Sequence, residues 1–241
     1  MSKLSTTSSP DNFFTVSKME VTIRDRVILH DISFSVKRGD FAAIIGPNGA
    51  GKTTLFRALI GSIPHGGTVV WAKDARIGYV PQHVDLDRHL ALTLQDFLQL
   101  KSRVLNLPDT AVNDVAQMLH IDEGKLKLPL SSLSAGELQR GLIAFALIGN
   151  PNVLLFDEPT ANLDAPGEEH IYQTLHKLQN ERDMTILFIS HDLNLVTRYA
   201  DTVICVSSSL FCAGPPKETL TPEVVDKLYG SLPFEHIHAK K

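Results

Sequence analysis

The sequence predicts an α/β fold with a mainly parallel sheet, and three observations carry that prediction. Short apolar runs such as "FAAII", "NVLLF" and "TILFIS" suit buried strands. Segments with apolar residues at i, i+3 and i+4 alternate with those runs, as helices between parallel strands do. One unit, "FAAIIGPNGAGKTTLFRALIG", reads as strand, glycine-rich loop and helix in that order.

Taken in order, residues 1–12, "MSKLSTTSSPDN", are polar and Ser/Thr-rich without an apolar signal core, and read as a flexible cytosolic tail. Residues 14–36 have a β-like pattern broken at "RDR" and "HD". "FAAII" is a buried strand, "LFRALIGSI" a helix, and "GGTVVW" and "RIGYVPQ" two more strands. From 93 to 149 the character turns helical, in "TLQDFLQLK", "DTAVNDVAQMLHI" and "AGELQRGLIAFALIG". "NP" stops that run before the strand "NVLLFDE". A helix around 170–179, the strand "TILFIS", a helix after His191, two strands in "TVICVSSSLFCAG" and a short helix in "TPEVVDKLYG" complete the chain. The predicted organisation is one domain over 13–230, with core segments 13–83 and 151–230 around a helical subdomain at 84–150, and a C-terminal tail at 231–241.

Composition narrows the function. Of 241 residues, 43% are hydrophobic and 21% charged, which is ordinary globular usage with ample material for a core. A net charge of −4 gives no basic field for nucleic acid. The two cysteines, Cys205 and Cys212, fit no metal-binding spacing and read as reduced thiols of a cytosolic protein. Every apolar run is shorter than the roughly 18–20 residues of a membrane span, so any membrane role comes through a partner.

The chemistry concentrates in two places. "GPNGAGKTT" supplies Gly46, Pro47, Asn48, Gly49, Ala50, Gly51, Lys52, Thr53 and Thr54, and its first eight residues fit G-x-x-x-x-G-K-[ST] in full. The glycines let backbone N–H groups converge on phosphate oxygens, Lys52 reaches the β- and γ-phosphates of ATP, and the Thr53 hydroxyl suits Mg²⁺. "LLFDEP" ends a strand in two carboxylates, placing both at the crevice where ligands bind in open α/β sheets. Asp157 is the expected Mg²⁺ partner and Glu158 the group that orients or deprotonates the attacking water. A third stretch, "LSAGELQR", is a helix start with Ser134 as N-cap and Glu137 at the third helical position, a capping box. Whether those atoms only cap a helix, or also face an anion, stays open on local grounds.

Taken as an ordered set, "GPNGAGKTT", "YVPQ", "LSAGELQR", "VLLFDEPTANLD" and "ISHDL" resemble the nucleotide-binding subunit of an ABC transporter over nearly the whole chain. The resemblance implies a P-loop NTPase (RecA-like) core with an N-terminal antiparallel β subdomain and an inserted α-helical subdomain. It implies ATP and Mg²⁺ as ligands, Gln82 as the glutamine between the Mg²⁺ site and the helical subdomain, and His191 as a catalytic histidine near the γ-phosphate. Ser134, Ala135, Gly136 and Glu137 correspond to a signature loop that caps ATP held by a second subunit. Here Ala135 replaces a glycine and Glu137 a glutamine. Asp164 corresponds to the residue that ties the two sites together. Ile23 falls where the family places an aromatic against adenine: either its aliphatic side chain loosens base selectivity, or an aromatic such as Phe13 or Phe14 fills in, and a modest preference for ATP over GTP is expected.

Further stretches, "RIGYVPQHVDLDRHLALTLQDFL" and "CAGPPKETLTPEVVDKLYG", are similar to the zinc and manganese uptake branch of that family. That implies a homodimer of ATPase subunits, peripheral on the cytoplasmic face of the inner membrane. Its partners would be an integral membrane permease and, through the assembled complex, an extracytoplasmic metal-binding protein. An importer of iron complexes or another nutrient is the nearest alternative. A non-transport ABC ATPase would carry a long coiled-coil insert or a second ATPase unit, and a soluble kinase or GTPase would not explain "LSAGELQR". His236 and His238 in the tail read as exposed polar residues more readily than as a metal sensor.

Overall fold

A computed structural model describes residues 12–82, 84, 92–108, 110–158 and 165–230. The elements run β1 (Asn12–Ile23), β2 (Arg26–Lys37), β3 (Phe41–Ile45), α1 (Lys52–Leu59), β4 (Gly66–Trp71), β5 (Ile77–Val80), α2 (Leu94–Val104), α3 (Thr110–Met118), α4 (Glu123–Leu126), α5 (Ala135–Leu147), β6 (Val153–Phe156), α6 (Ala165–Arg182), β7 (Thr185–Ile189), α7 (Leu193–Tyr199), β8 (Thr202–Ser207), β9 (Ser209–Gly214), α8 (Pro216–Thr219) and α9 (Pro222–Tyr229).

The apolar runs form the larger sheet, in the order β5-β6-β7-β3-β8-β9. Its first five strands pair in parallel and β9 returns antiparallel to β8. Alternation along β3 shows why these strands are apolar throughout. Phe41, Ala43 and Ile45 enter one core with the helices, while Ala42 and Ile44 enter a second core with α1 and the smaller sheet. Each strand is therefore buried on both faces, which removes the polar positions a half-exposed strand would show.

The smaller sheet, β2-β1-β4, is antiparallel. It meets the large sheet through Phe14, Val16, Leu29 and Val36, all at most 1% exposed. This is the expected α/β class with its antiparallel β portion and helical insertion. Helix α6 runs to Arg182, well past the 170–179 expected from periodicity. The four-residue helices α4 and α8 are too short for a periodic signal and appear only here.

One expectation is corrected. Cys205 and Cys212 are not separate thiols. The β8–β9 register places them directly opposite one another, and they are joined as a disulfide. A reading of spacing against metal motifs cannot see cross-strand register.

Candidate functional site: the carboxyl edge of the parallel sheet

Because β5, β6, β7 and β3 run parallel, their carboxyl ends share one edge, and the predicted residues follow those ends. The phosphate-loop residues begin after Ile45 of β3, Gln82 follows β5, Asp157 and Glu158 follow β6, and His191 follows β7. Asn48, Gly49, Gly51, Lys52, Thr53, Thr54, Gln82 and Glu158 line one cleft of about 360 Å³.

The loop is shaped by backbone conformations that favour glycine. Gly46 has φ 154°, and a Cβ there would lie 2.0 Å from the Val206 carbonyl oxygen. Gly49, at φ 80°, faces open space where a ligand can approach the backbone. Gly51 precedes α1 in the left-handed region, and no side chain caps that helix. Its first N–H groups are thus left to bind an anion. Lys52 is only 5% exposed and donates to the carbonyl oxygens of Gly46 at 2.9 Å and Pro47 at 3.1 Å. Burial pushes its pKa down, opposed by the charges of Glu158 and Asp157.

Asp157 is fully buried and accepts from the Thr53 hydroxyl at 3.0 Å and from the Tyr79 hydroxyl at 3.2 Å. Burial raises its pKa, and those two hydrogen bonds act against the rise. A hydroxyl and a carboxylate side by side are the hard oxygen donors that Mg²⁺ takes alongside substrate phosphates, so the residues present fit that ion. Glu158 sits at φ 45°, a left-handed conformation uncommon outside glycine. Its Oε1 lies 2.5 Å from His191 Nε2 and 4.0 Å from Lys52 Nζ, and its Oε2 accepts from Gln82 Nε2. Three predicted residues, His191, Lys52 and Gln82, thus meet at the carboxylate of a fourth, Glu158.

The signature residues lie elsewhere. Ser134 accepts from the Glu137 N–H at 3.4 Å and donates its hydroxyl to Glu137 Oε2 at 2.9 Å, while the Ser134 N–H reaches that same oxygen at 2.9 Å. The capping box is therefore formed at the start of α5, with Ala135 and Gly136 in its first turn. Glu137 also pairs with Lys125 at 2.6 Å. That contact and the Ser134 hydrogen bonds pull its pKa down to about 2. None of these four residues lines the phosphate cleft of its own chain.

Ile23 is 44% exposed at the end of β1 and does not line that cleft, whereas Ile28 of β2 does. Ile28, Tyr79 and Lys125 are site neighbours that motif reading missed. Ile28 and Tyr79 are strand residues and Lys125 a helix residue, so only tertiary contact marks them. Asp164, His236 and His238 lie outside the described residues.

Comparisons with known proteins show the family and the fold. The family profile described as ABC transporter matches residues 29–161. Curated relatives include the zinc import ATP-binding protein ZnuC of Yersinia pestis, 37% identical over 92% of this chain and 87% of its own. The ZnuC of Haemophilus influenzae is 32% identical over 90% of this chain and 80% of its own. Among solved structures, an ABC transporter in an inward-facing conformation superposes with a TM-score of 0.83 at 24% identity, covering 91% of this chain and 89% of that one. CbiO1 of Clostridium perfringens, part of the ABC transporter complex cbiONQ, superposes at 0.76 with 28% identity, covering 90% and 94%. The chain belongs to the ABC transporter family, as one of its ATP-hydrolysing subunits.

Proposed function

We propose that the chain powers import of a divalent metal ion, with zinc as the cargo. The observation that carries this reading is the likeness to ZnuC proteins at 32–38% identity over about 90% of the chain. Manganese is the neighbouring possibility within the same branch.

In this reading residues 46–54 hold the ATP phosphates. Lys52 exchanges its two loop carbonyls for phosphate oxygens, which keeps a buried cation paired throughout. Thr53 and Asp157, with Gln82 at the cleft wall, would hold Mg²⁺. That ion supplies charge neutralisation on the phosphates when bound. Glu158 accepts a proton from the attacking water, and His191 keeps its carboxylate oriented. Ser134, Ala135, Gly136 and Glu137 of one copy face the ATP of a second copy, with Asp164 linking the two sites. The reading takes the working form to be a homodimer, supported by the signature residues not lining the phosphate cleft of their own chain.

Among the described residues no helix is long and apolar enough to cross a membrane. An integral permease therefore supplies the path, docking on the helical segment within 84–150. The subunit sits peripherally on the cytoplasmic face of the inner membrane, and an extracytoplasmic metal-binding protein delivers the ion. The test is reconstitution with the permease that co-purifies from the native cell, measuring ATPase rate and ion uptake with the external binding protein present. Zinc should stimulate both. Stimulation by an iron complex and not by zinc or manganese would overturn the metal assignment.

A further inference from the structure

The last helix among the described residues, α9, reaches the phosphate loop. The Tyr229 hydroxyl, at the end of α9, accepts a hydrogen bond from the backbone N–H of Gly46 at 3.1 Å, across 183 positions of sequence. Gly46 is buried and follows the last residue of β3, whose ladders end at Ile44 with Ile189 of β7 and at Ile45 with Cys205 of β8. Its N–H therefore has no strand partner, and a buried donor without one is costly.

The rest of Gly46 is equally committed. Its carbonyl accepts from Lys52, and its α-carbon lies so close to the Val206 carbonyl that no side chain fits. Downstream, the Ser208 N–H donates to the Ala50 carbonyl at 3.3 Å, and the Ser208 carbonyl accepts from the His30 N–H at 2.8 Å. The β8–β9 turn thus braces the far side of the loop. Helix α9 is itself fixed by Val225 and Leu228, both buried, and by the Thr221 hydroxyl, which caps it through the Val224 N–H at 3.4 Å.

We propose that Tyr229 is a positioning residue of the phosphate site: its hydroxyl fixes the Ile45–Gly46 peptide through the Gly46 N–H, and with it the adjoining Gly46–Pro47 peptide, whose carbonyl holds Lys52 before a nucleotide binds. The C-terminal helix thereby sets how well the loop is preformed for a nucleotide's β- and γ-phosphates. Preformed loops bind more tightly because less ordering remains to be done on binding. This rests on the assignment of residues 46–54 as the phosphate site, and the variants below separate the two.

The experiment measures equilibrium binding of a fluorescent ATP analogue, kcat, KM for ATP and thermal stability on the full chain. Tyr229→Phe should weaken binding about five- to tenfold, the equivalent of one lost hydrogen bond. KM should rise with kcat little changed. Thr221→Ala removes the α9 cap without touching Gly46, and should lower stability while leaving binding unchanged. Lys52→Ala should abolish binding. Unchanged binding and KM in Tyr229→Phe, with Lys52→Ala inactive, would overturn the role of Tyr229. So would equal weakening by Thr221→Ala, which would reduce Tyr229 to general support of the helix. Undiminished binding in Lys52→Ala would overturn the phosphate site itself. If Tyr229→Phe does not fold, amide exchange on the unmutated, nucleotide-free chain decides: Gly46 should be protected, and free exchange there would refute the contact.

Discussion

Glu158→Gln tests the chemistry most directly. The replacement keeps shape and removes charge at the point where His191, Gln82 and Lys52 converge. At 4.0 Å, Lys52 and Glu158 attract by about 4 kcal/mol at an effective dielectric of 20, as gross Coulomb energy. Glu158 is 18% exposed, so solvent screens only part of that. In the unmutated site, ATP must compete with this carboxylate for Lys52 and also meets its repulsion. The amide relieves both, so ATP binding should hold or tighten. Turnover should fall by about 10²–10⁴, the usual contribution of a positioned general base. That corresponds to about 3–5 kcal/mol on the barrier. The assays are phosphate release at saturating ATP, equilibrium binding, and a sizing column with and without ATP. The variant should elute as a dimer with ATP, because the state before hydrolysis accumulates. Near-normal hydrolysis would remove Glu158 from the proton-transfer role. Loss of ATP binding would recast it as a structural prop for the loop.

Three other outcomes are expected. Gly46→Ala places a methyl group 2.0 Å from the Val206 carbonyl oxygen at a φ of 154°, so it should cost about 2 kcal/mol or more in urea denaturation and lose ATP binding. Glu137 has its folded-state pKa depressed to about 2 from 4.5, so its stabilising contribution is complete above the upper value and is lost as pH falls toward the lower. The stability gap between the unmutated chain and Glu137→Gln, followed by thermal denaturation, should close on acidification, and a gap independent of pH would contradict the Lys125 pairing. Ile23 lies outside the phosphate cleft but is 44% exposed and open to an adenine ring, so on the expected base contact Ile23→Ala should cost about 1 kcal/mol of ATP binding, roughly fivefold. A strong preference for ATP over GTP that survives this change would remove Ile23 from the base site.

Much of the fold was legible because its signals are local. "FAAII", "VLLF" and "TILFI" are strands buried on both faces, and that burial writes itself into composition. The capping box of Ser134 and Glu137 spans three positions, so it was readable and is formed as read. The glycine-rich loop was legible for the same reason: its shape rests on consecutive residues with glycines at positive φ. Strand order was not legible, because β3 lies between β7 and β8 through pairings that no local pattern encodes. Nor was the joining of Cys205 to Cys212, which follows from the β8–β9 register.

The sequence by itself marked the groups expected to do chemistry: Lys52, Thr53, Asp157 and Glu158 stand out by type and by their position after apolar runs, and His191 through the family resemblance. Tertiary structure alone decided how those groups are held. Tyr79 on Asp157, Ile28 at the cleft wall, Lys125 on Glu137 and Tyr229 on Gly46 come from other elements. Single hydrogen bonds and contacts of this kind have no repeating pattern. Motifs record what must be contiguous for a loop to bind phosphate, whereas support arrives from wherever parallel strands and the helices packed on them bring a side chain within reach.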